Sequence, residues 1–281
     1  MKSKKNAPRM KKIAKLLGKI IFVAAFWLLV WFLVSYRMGS DFIFPSPSAV
    51  FRELGLLITN RSESLIRYGV HVNFWLVTAI SLLRILWGIL LSIVLGTVLA
   101  YLTSVSRILN TLLSPMLSAI KATPVASFII LAMLWFDKTD LPVFITALIV
   151  IPIVWANISE GIRSVDPGLK QVTDIYHFSF WKKLFRLYVP SVLPYFLAAC
   201  QSSLGMAWKA GVAAEILAVP EYAIGSEIFF SKQYMYSETL FAWSLIVILL
   251  SIVMEKLFLI SLKRIGRKFH LVPKGGSHAE I

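Results

Sequence analysis

Residues 141–159 carry no charged side chain, and neither do residues 187–208. A run of about 20 predominantly apolar residues is what a helix needs to cross the hydrocarbon of a bilayer. In hydrocarbon the backbone finds no water, so such a run has to bond its own N–H and C=O groups, as a helix does. Composition extends the argument to the rest of the chain. Hydrophobic residues make up 58% and charged ones 15%, where an ordinary soluble domain has about 25% charged. The expected fold class is all-α, a polytopic membrane protein with about six transmembrane helices.

The spans are expected at about 20–36, 74–102, 108–136, 141–159, 191–214 and 239–262. Together they make one membrane domain, 20–262, between basic tails at 1–19 and 263–281. Residues 1–19 hold eight Lys or Arg and no acid, which reads as a topogenic tail. It is too short for a folded nucleic-acid-binding module. The run after it lacks a small-residue cleavage site, and Trp27, Trp31 and Tyr36 suit interfacial anchors, so it reads as a retained first span. In the mixed segment 41–73, Pro45-Ser46-Pro47-Ser48 can start a helix that Val50–Leu57 continues amphipathically. The net charge of +15 gathers in the two tails and in the polar stretch 160–190. With six spans all three fall on one side, which predicts a multi-pass protein of the cell membrane with both termini in the cytoplasm.

Several residues are expensive inside a membrane and so carry information. Gly88, Ser92, Gly96 and Ala100 stand four apart, a small-residue stripe that lets another helix approach closely, within this chain rather than between copies. Arg84 either faces protein or water, or snorkels from a helix that starts late. Lys121-Ala122-Thr123-Pro124 interrupts the third span, and the proline should kink it where protein or a water-filled path receives the freed backbone groups. Lys209 and Glu215 are six residues apart, about 240° round an ideal helix, so they should not pair on one straight helix. They meet other elements, the solute path or water, or form an interfacial pair at the end of the span. Thr123, Pro124, Lys209 and Glu215 are therefore the candidates for a translocation path or gate.

The polar stretch 160–190 is long for so greasy a chain. Within it Ile175, Phe178, Trp181, Leu184 and Phe185 recur at three- and four-residue spacing, with Lys182, Lys183 and Arg186 between them. That predicts a short amphipathic helix over 171–186. Pro190 and Pro194 then favour a break where the next span begins.

This stretch resembles the "EAA loop" of ATP-binding-cassette (ABC) importer permeases. The frame matches at Val165-Asp166-Pro167, at Ser179 and Trp181, and at Val189-Pro190-Ser191-Val192-Leu193-Pro194. The family's Glu-Ala-Ala falls on Gln171, Val172 and Thr173, and its turn glycine on His177, so those four positions depart from the pattern. Pro124 followed by an apolar run ending in Leu134-Trp135-Phe136 is similar to the family as well. Trp208-Lys209 with Ala214-Glu215 resembles its nitrate, sulfonate and taurine branch. The likeness runs from about His71 to Lys263.

The resemblance implies a type I ABC importer permease-like fold. It further implies a second permease subunit, as a homodimer, around a path for a small solute, with an anion such as nitrate, sulfonate or taurine in view. A separate ABC ATPase subunit would dock on the loop, through Gln171, Asp174, His177, Phe178, Ser179, Trp181, Lys182, Lys183 and Phe185. An extracellular or periplasmic solute-binding protein would deliver the solute. The competing expectations are the membrane component of an energy-coupling vitamin transporter, or an ion-coupled carrier.

Nothing in the chain reads as an enzyme. It has no G-x-x-x-x-G-K-[ST] phosphate loop and no H-E-x-x-H pair, so neither a nucleotide, a metal nor another cofactor is expected. His71, His177, His270 and His278 are scattered, and Cys200 is the only cysteine.

Overall fold

A computed structural model describes residues 7–67 and 70–268. Residues 1–6, 68, 69 and 269–281 lie outside the described residues, and with them parts of both basic tails, His270 and His278. The elements are α1 (Ala7–Met38), α2 (Pro47–Ile58), β1 (Ile66–Arg67), β2 (Val70–His71), α3 (Phe74–Val105), α4 (Arg107–Ala122), α5 (Val125–Ala132), α6 (Leu141–Arg163), α7 (Pro167–Ile175), α8 (Phe180–Lys183), α9 (Val189–Ala218), α10 (Ile224–Gln233) and α11 (Ser237–Lys268). The strands are two residues each, paired antiparallel with Ile66 opposite His71. The rest of the regular structure is helical, as the composition requires. The chain falls into two compact units, one made of the described residues up to Phe74 with Phe230–Leu245, the other of Trp75–Phe229 with the residues from Ile246 onward.

In the first unit α2 begins where the proline–serine run predicts. Ser46 caps it by accepting the Ala49 N–H at 3.4 Å, and Pro47 occupies the first turn, where its missing N–H costs nothing. The one buried acid of α2, Glu53, accepts hydrogen bonds from the hydroxyls of Ser62 and Thr239, the latter at 3.1 Å. Trp31 donates its indole N–H to the Pro45 carbonyl at 3.1 Å and stacks on Phe241. Elsewhere on α1 the described side chains include much exposed apolar surface, Phe22, Trp27 and Phe32 among them. That is what a span facing lipid or another subunit presents.

The second unit is built on α6. The small stripe of α3 lies against it: a Cβ added to Gly88 would stand 2.7 Å from Thr146 Cβ, and one added to Gly96 would stand 2.8 Å from Val154 Cβ. Between them Ser92 donates to the Gly88 carbonyl at 2.5 Å, with the Ala147 carbonyl of α6 at 3.4 Å. The stripe thus serves packing within the chain. On its other side α6 meets α9 along Leu141, Ile145, Ile149 and the alanines Ala210, Ala214 and Ala218, with Ile129 and Ala132 of α5 completing the cluster. Alanines four apart let two backbones come close, and dispersion between close-packed atoms then holds them.

Among the described residues four helices are long and apolar enough to cross a membrane: 21–38 within α1, α3, α6 and 237–258 within α11. The pair α4 and α5 makes a fifth if counted as one span, but its halves meet at 105°. The expected single span 108–136 with a kink at Pro124 is therefore a broken helix, and α5 ends at Ala132. Thr123 has left the helical region and Pro124 cannot donate, so the backbone turns sharply there. α9 is more polar than these helices and carries Gln201, Ser202, Ser203, Lys209 and Glu215. At 30 residues it is about 45 Å long, ample for a crossing. Much of it is shielded by α3, α5 and α6 instead of facing lipid, so it can be more polar than a lone span.

Two further expectations are corrected. The prolines 190 and 194 do not break the chain before α9. Pro190 sits in the first turn, and Leu184–Tyr188 forms a π-helical turn that carries α8 directly into α9. The amphipathic stretch 171–186 is not one helix either, but two helices joined by a turn.

Candidate functional site

The turn is built by a helix C-terminus. α7 starts with Asp166, whose carboxylate accepts the Gly168 N–H at 2.6 Å, followed by Pro167 in the first turn. It ends with two reversed hydrogen bonds, Phe178 N–H to the Thr173 carbonyl and His177 N–H to the Asp174 carbonyl, each at 3.0 Å. These are the bonds of a Schellman cap, which needs a left-handed residue at its turn position. His177 occupies that position with φ +48°. Glycine is the usual choice there because a Cβ costs roughly 1–2 kcal/mol in this region. His177→Gly is therefore expected to leave the cap intact and raise or preserve the thermal stability of the purified permease. A clear loss of stability in a melting experiment would mean that the imidazole itself holds the turn.

Beyond the turn Ser179 is extended, its carbonyl accepting the Lys183 N–H at 2.9 Å, and α8 follows. Lys183 pairs with Asp174 across the turn and so ties α8 to α7. Lys182 places its ammonium 4.2 Å from the Phe178 ring centre, and Phe178 is half-buried. The aromatic groups that face outward are others. Tyr176 is 72% exposed, Trp181 65%, Phe185 62% and Phe180 58%. Trp181 stacks on Phe185 with ring centres 6.1 Å apart, and Phe180 meets Trp181 edge-on at 5.5 Å. Gln171 is exposed on α7. The unit from α7 through the π turn is thus an elbow with a preformed apolar tip. Patterning alone missed Tyr176 and Phe180, because the reversal at His177 changes which residues share a face.

The four path candidates are not gathered. Thr123 and Pro124 form the break between α4 and α5, and Lys121 just before them lies over the Trp155 ring at 5.9 Å. Lys209 is exposed on α9, on the same face as Ala198, Gln201 and Ser202, and makes no hydrogen bond or ion pair among the described residues. Glu215 is fully buried. Its Oε2 accepts the Ser81 hydroxyl at 2.9 Å and the Gly225 N–H at 3.1 Å. Its Oε1 lies 3.6 Å from Nη1 of Arg84, an ion pair longer than a hydrogen bond. Arg84 therefore faces protein and does not snorkel, and it also donates to the Glu221 carbonyl at 2.9 Å. The sequence offered both charges as costly. Their pairing needed the fold, since they lie on α3 and α9. Among the described residues no group of three or more His, Cys, Asp or Glu side chains is placed to hold a metal ion.

Residues 88–267, more than half of the chain, match the family described as binding-protein-dependent transport system inner membrane component. The chain belongs to that family. It is 26% identical over 220 residues to the bicarbonate transport system permease protein CmpB of Synechococcus elongatus, covering 75% of each chain. It is 27% identical over 150 residues to the nitrate import permease protein NrtB of the same organism, covering 53% of this chain and 54% of that one. The crystal structure of a bacterial ABC transporter involved in the import of alginate shares the fold, with TM-score 0.54 and 16% identity over 93% of this chain and 99% of that one. The protein is the membrane-spanning permease component of an ABC importer. This sets aside the vitamin-transporter and ion-coupled readings. The expectation of an all-α polytopic permease stands.

Proposed function

We propose that two copies of this permease enclose a path for a small inorganic or organic anion and are driven by a separate ABC ATPase seated on the elbow of α7 and α8. The observation that carries this reading is the elbow itself. Its aromatic tip is exposed, and it continues without interruption into α9. Exposed apolar clusters of this kind mark docking sites, and a continuous helix transmits displacement. The elbow and both termini then lie on the cytoplasmic side, where the basic tails and loop agree with the distribution of Lys and Arg. A solute-binding protein delivers the anion on the opposite face.

Lys209, with Gln201 and Ser202, is the polar face of α9 and is assigned to the path. A free ammonium on a membrane helix is costly against lipid, about 2.5–3.5 kcal/mol at the centre of a span, so this face belongs toward water or a second copy. The names of relatives, bicarbonate and nitrate permeases, support an anion as the solute. Lys209→Met is expected to lower uptake about tenfold, the equivalent of ~1.4 kcal/mol, with the ATPase still copurifying. Uptake would be followed with labelled bicarbonate or nitrate, whichever the cognate receptor binds. Unchanged uptake would remove Lys209 from the path.

A further inference from the structure

At the far end of α9 from the elbow, the chain turns through residues 219–223 into α10. The segment is held in an unusual shape: Val219 and Tyr222, neither of them glycine, adopt φ of +50° and +48°. Such residues persist only where their surroundings over-determine them. Here the surroundings are the buried polar groups around Glu215. Arg84 of α3 holds the Glu221 carbonyl at 2.9 Å and approaches the Tyr222 carbonyl at 3.5 Å. Ser81, one turn earlier on α3, accepts the Ile224 N–H at 2.8 Å while donating to Glu215. Glu215 itself takes the Gly225 N–H. Apart from the Ser81–Glu215 bond, which ties α3 to α9, each of these bonds joins the segment, or the first turn of α10, to α3 or α9. Meanwhile the side chains of Glu221 and Tyr222 stay exposed.

We propose that Arg84, Ser81 and Glu215 form a latch that makes the 219–223 segment move as one piece with α3 and α9, so that displacement of the elbow is delivered to the opposite face of the permease. The inference rests on the elbow being the ATPase dock. The latch residues are positioning residues: they touch neither solute nor nucleotide. They act by replacing a loop that would otherwise relax with one fixed to the end of a rod. The ion pair is suited to this because its carboxylate is fully buried, and a buried carboxylate deprived of its partners has no water to fall back on.

The test uses the full permease assembled with its ATPase in lipid nanodiscs, with Cys200→Ala and Glu221→Cys carrying an environment-sensitive fluorophore. ATP with vanadate, which traps the ATPase closed, should shift the fluorescence of the otherwise unaltered protein. Glu215→Gln keeps the size and the hydrogen-bonding oxygen but removes the charge facing Arg84. Ser81→Ala deletes one hydroxyl and decides the matter should Glu215→Gln fail to assemble. In either variant the trapped-state shift is expected to fall about fivefold with the ATPase still bound, within the range by which residues of a coupling network alter coupling. A full shift in Ser81→Ala and Glu215→Gln, with the shift abolished in Trp181→Ala, would overturn the latch and leave the docking elbow standing. A full shift in Trp181→Ala as well would remove the docking reading, and the latch with it.

Discussion

Trp181→Ala is expected to separate ATP hydrolysis from solute delivery, or to release the ATPase altogether, while leaving the permease folded. The indole is 65% exposed and touches mainly its neighbours Phe180 and Phe185, so its removal creates no cavity in the core. What is lost is an anchor for a partner. A desolvated aromatic at the centre of an interface commonly contributes 2 kcal/mol or more, about thirtyfold in affinity. Lys182, by contrast, is an exposed charge whose ammonium lies 4.2 Å from the centre of the Phe178 ring. Exposed charges of that kind contribute under about 1 kcal/mol, so Lys182→Ala should be much milder. Copurification of the ATPase, and hydrolysis stimulated by the loaded receptor, are the two measurements. The docking proposal requires the elbow to lie inside the cell, so Lys183→Cys should resist a membrane-impermeant thiol reagent in intact cells. A fully coupled Trp181→Ala would end the docking proposal, and outside labelling at position 183 would invert the topology.

The parts of this protein that were legible from residues alone are those governed by solvent. Uncharged runs became helices, and Ser46-Pro47 became a cap and first turn. The stripe Gly88, Ser92, Gly96, Ala100 found its neighbour in α6. Each of these follows from what a segment does by itself or from a strong preference at one position. The elbow shows where that ends. Spacing of three and four residues survives a short turn, so 171–186 imitates one helix. The residue that reverses the chain is a histidine where glycine would have announced a turn. The two prolines misled in the opposite direction, since Pro190 falls where a helix has no hydrogen bond to lose and the π turn delivers the chain to it.

Glu215 illustrates a different limit. Its angle to Lys209 correctly ruled out their pairing, but a carboxylate's true partners are set by which helices cross, and that is decided by Gly211. A Cβ at Gly211 would stand 2.6 Å from Ile85 Cγ1 and 2.9 Å from Thr146 Oγ1. The close approach of α9 to α3 and α6 at that glycine is what brings Arg84 and Ser81 within reach of Glu215. The polar face of α9, with Lys209, stays exposed beside it. One helix thus carries the elbow at one end, a polar stripe along one side, and a buried ion pair at the other end.

Gly225→Ala is the substitution expected to damage the fold most. A Cβ at position 225 would lie 2.4 Å from Glu215 Cβ, 2.5 Å from the Ile216 nitrogen and 2.6 Å from the Glu215 carbonyl carbon. Two of these three atoms belong to the backbone of α9 and cannot turn aside as a side-chain tip can, so the start of α10 has to move away. That movement breaks the Gly225 N–H bond to Glu215 and pulls the Ile224 N–H from Ser81. Overpacking alone typically costs about 1–3 kcal/mol, and stripping partners from a buried charge raises the cost toward about 3–5 kcal/mol. Gly55→Ala is the matched control: its Cβ would meet nothing within 4 Å on the exposed side of α2, and replacing a helical glycine there should stabilise by about 0.5–1 kcal/mol. The measurement is the melting temperature and yield of the detergent-extracted permease, with Gly225→Ala far below the parent and Gly55→Ala at or above it. A Gly225→Ala protein that extracts and melts like the parent would mean that α10 is not seated on Glu215, and the network around that carboxylate would have to be redrawn.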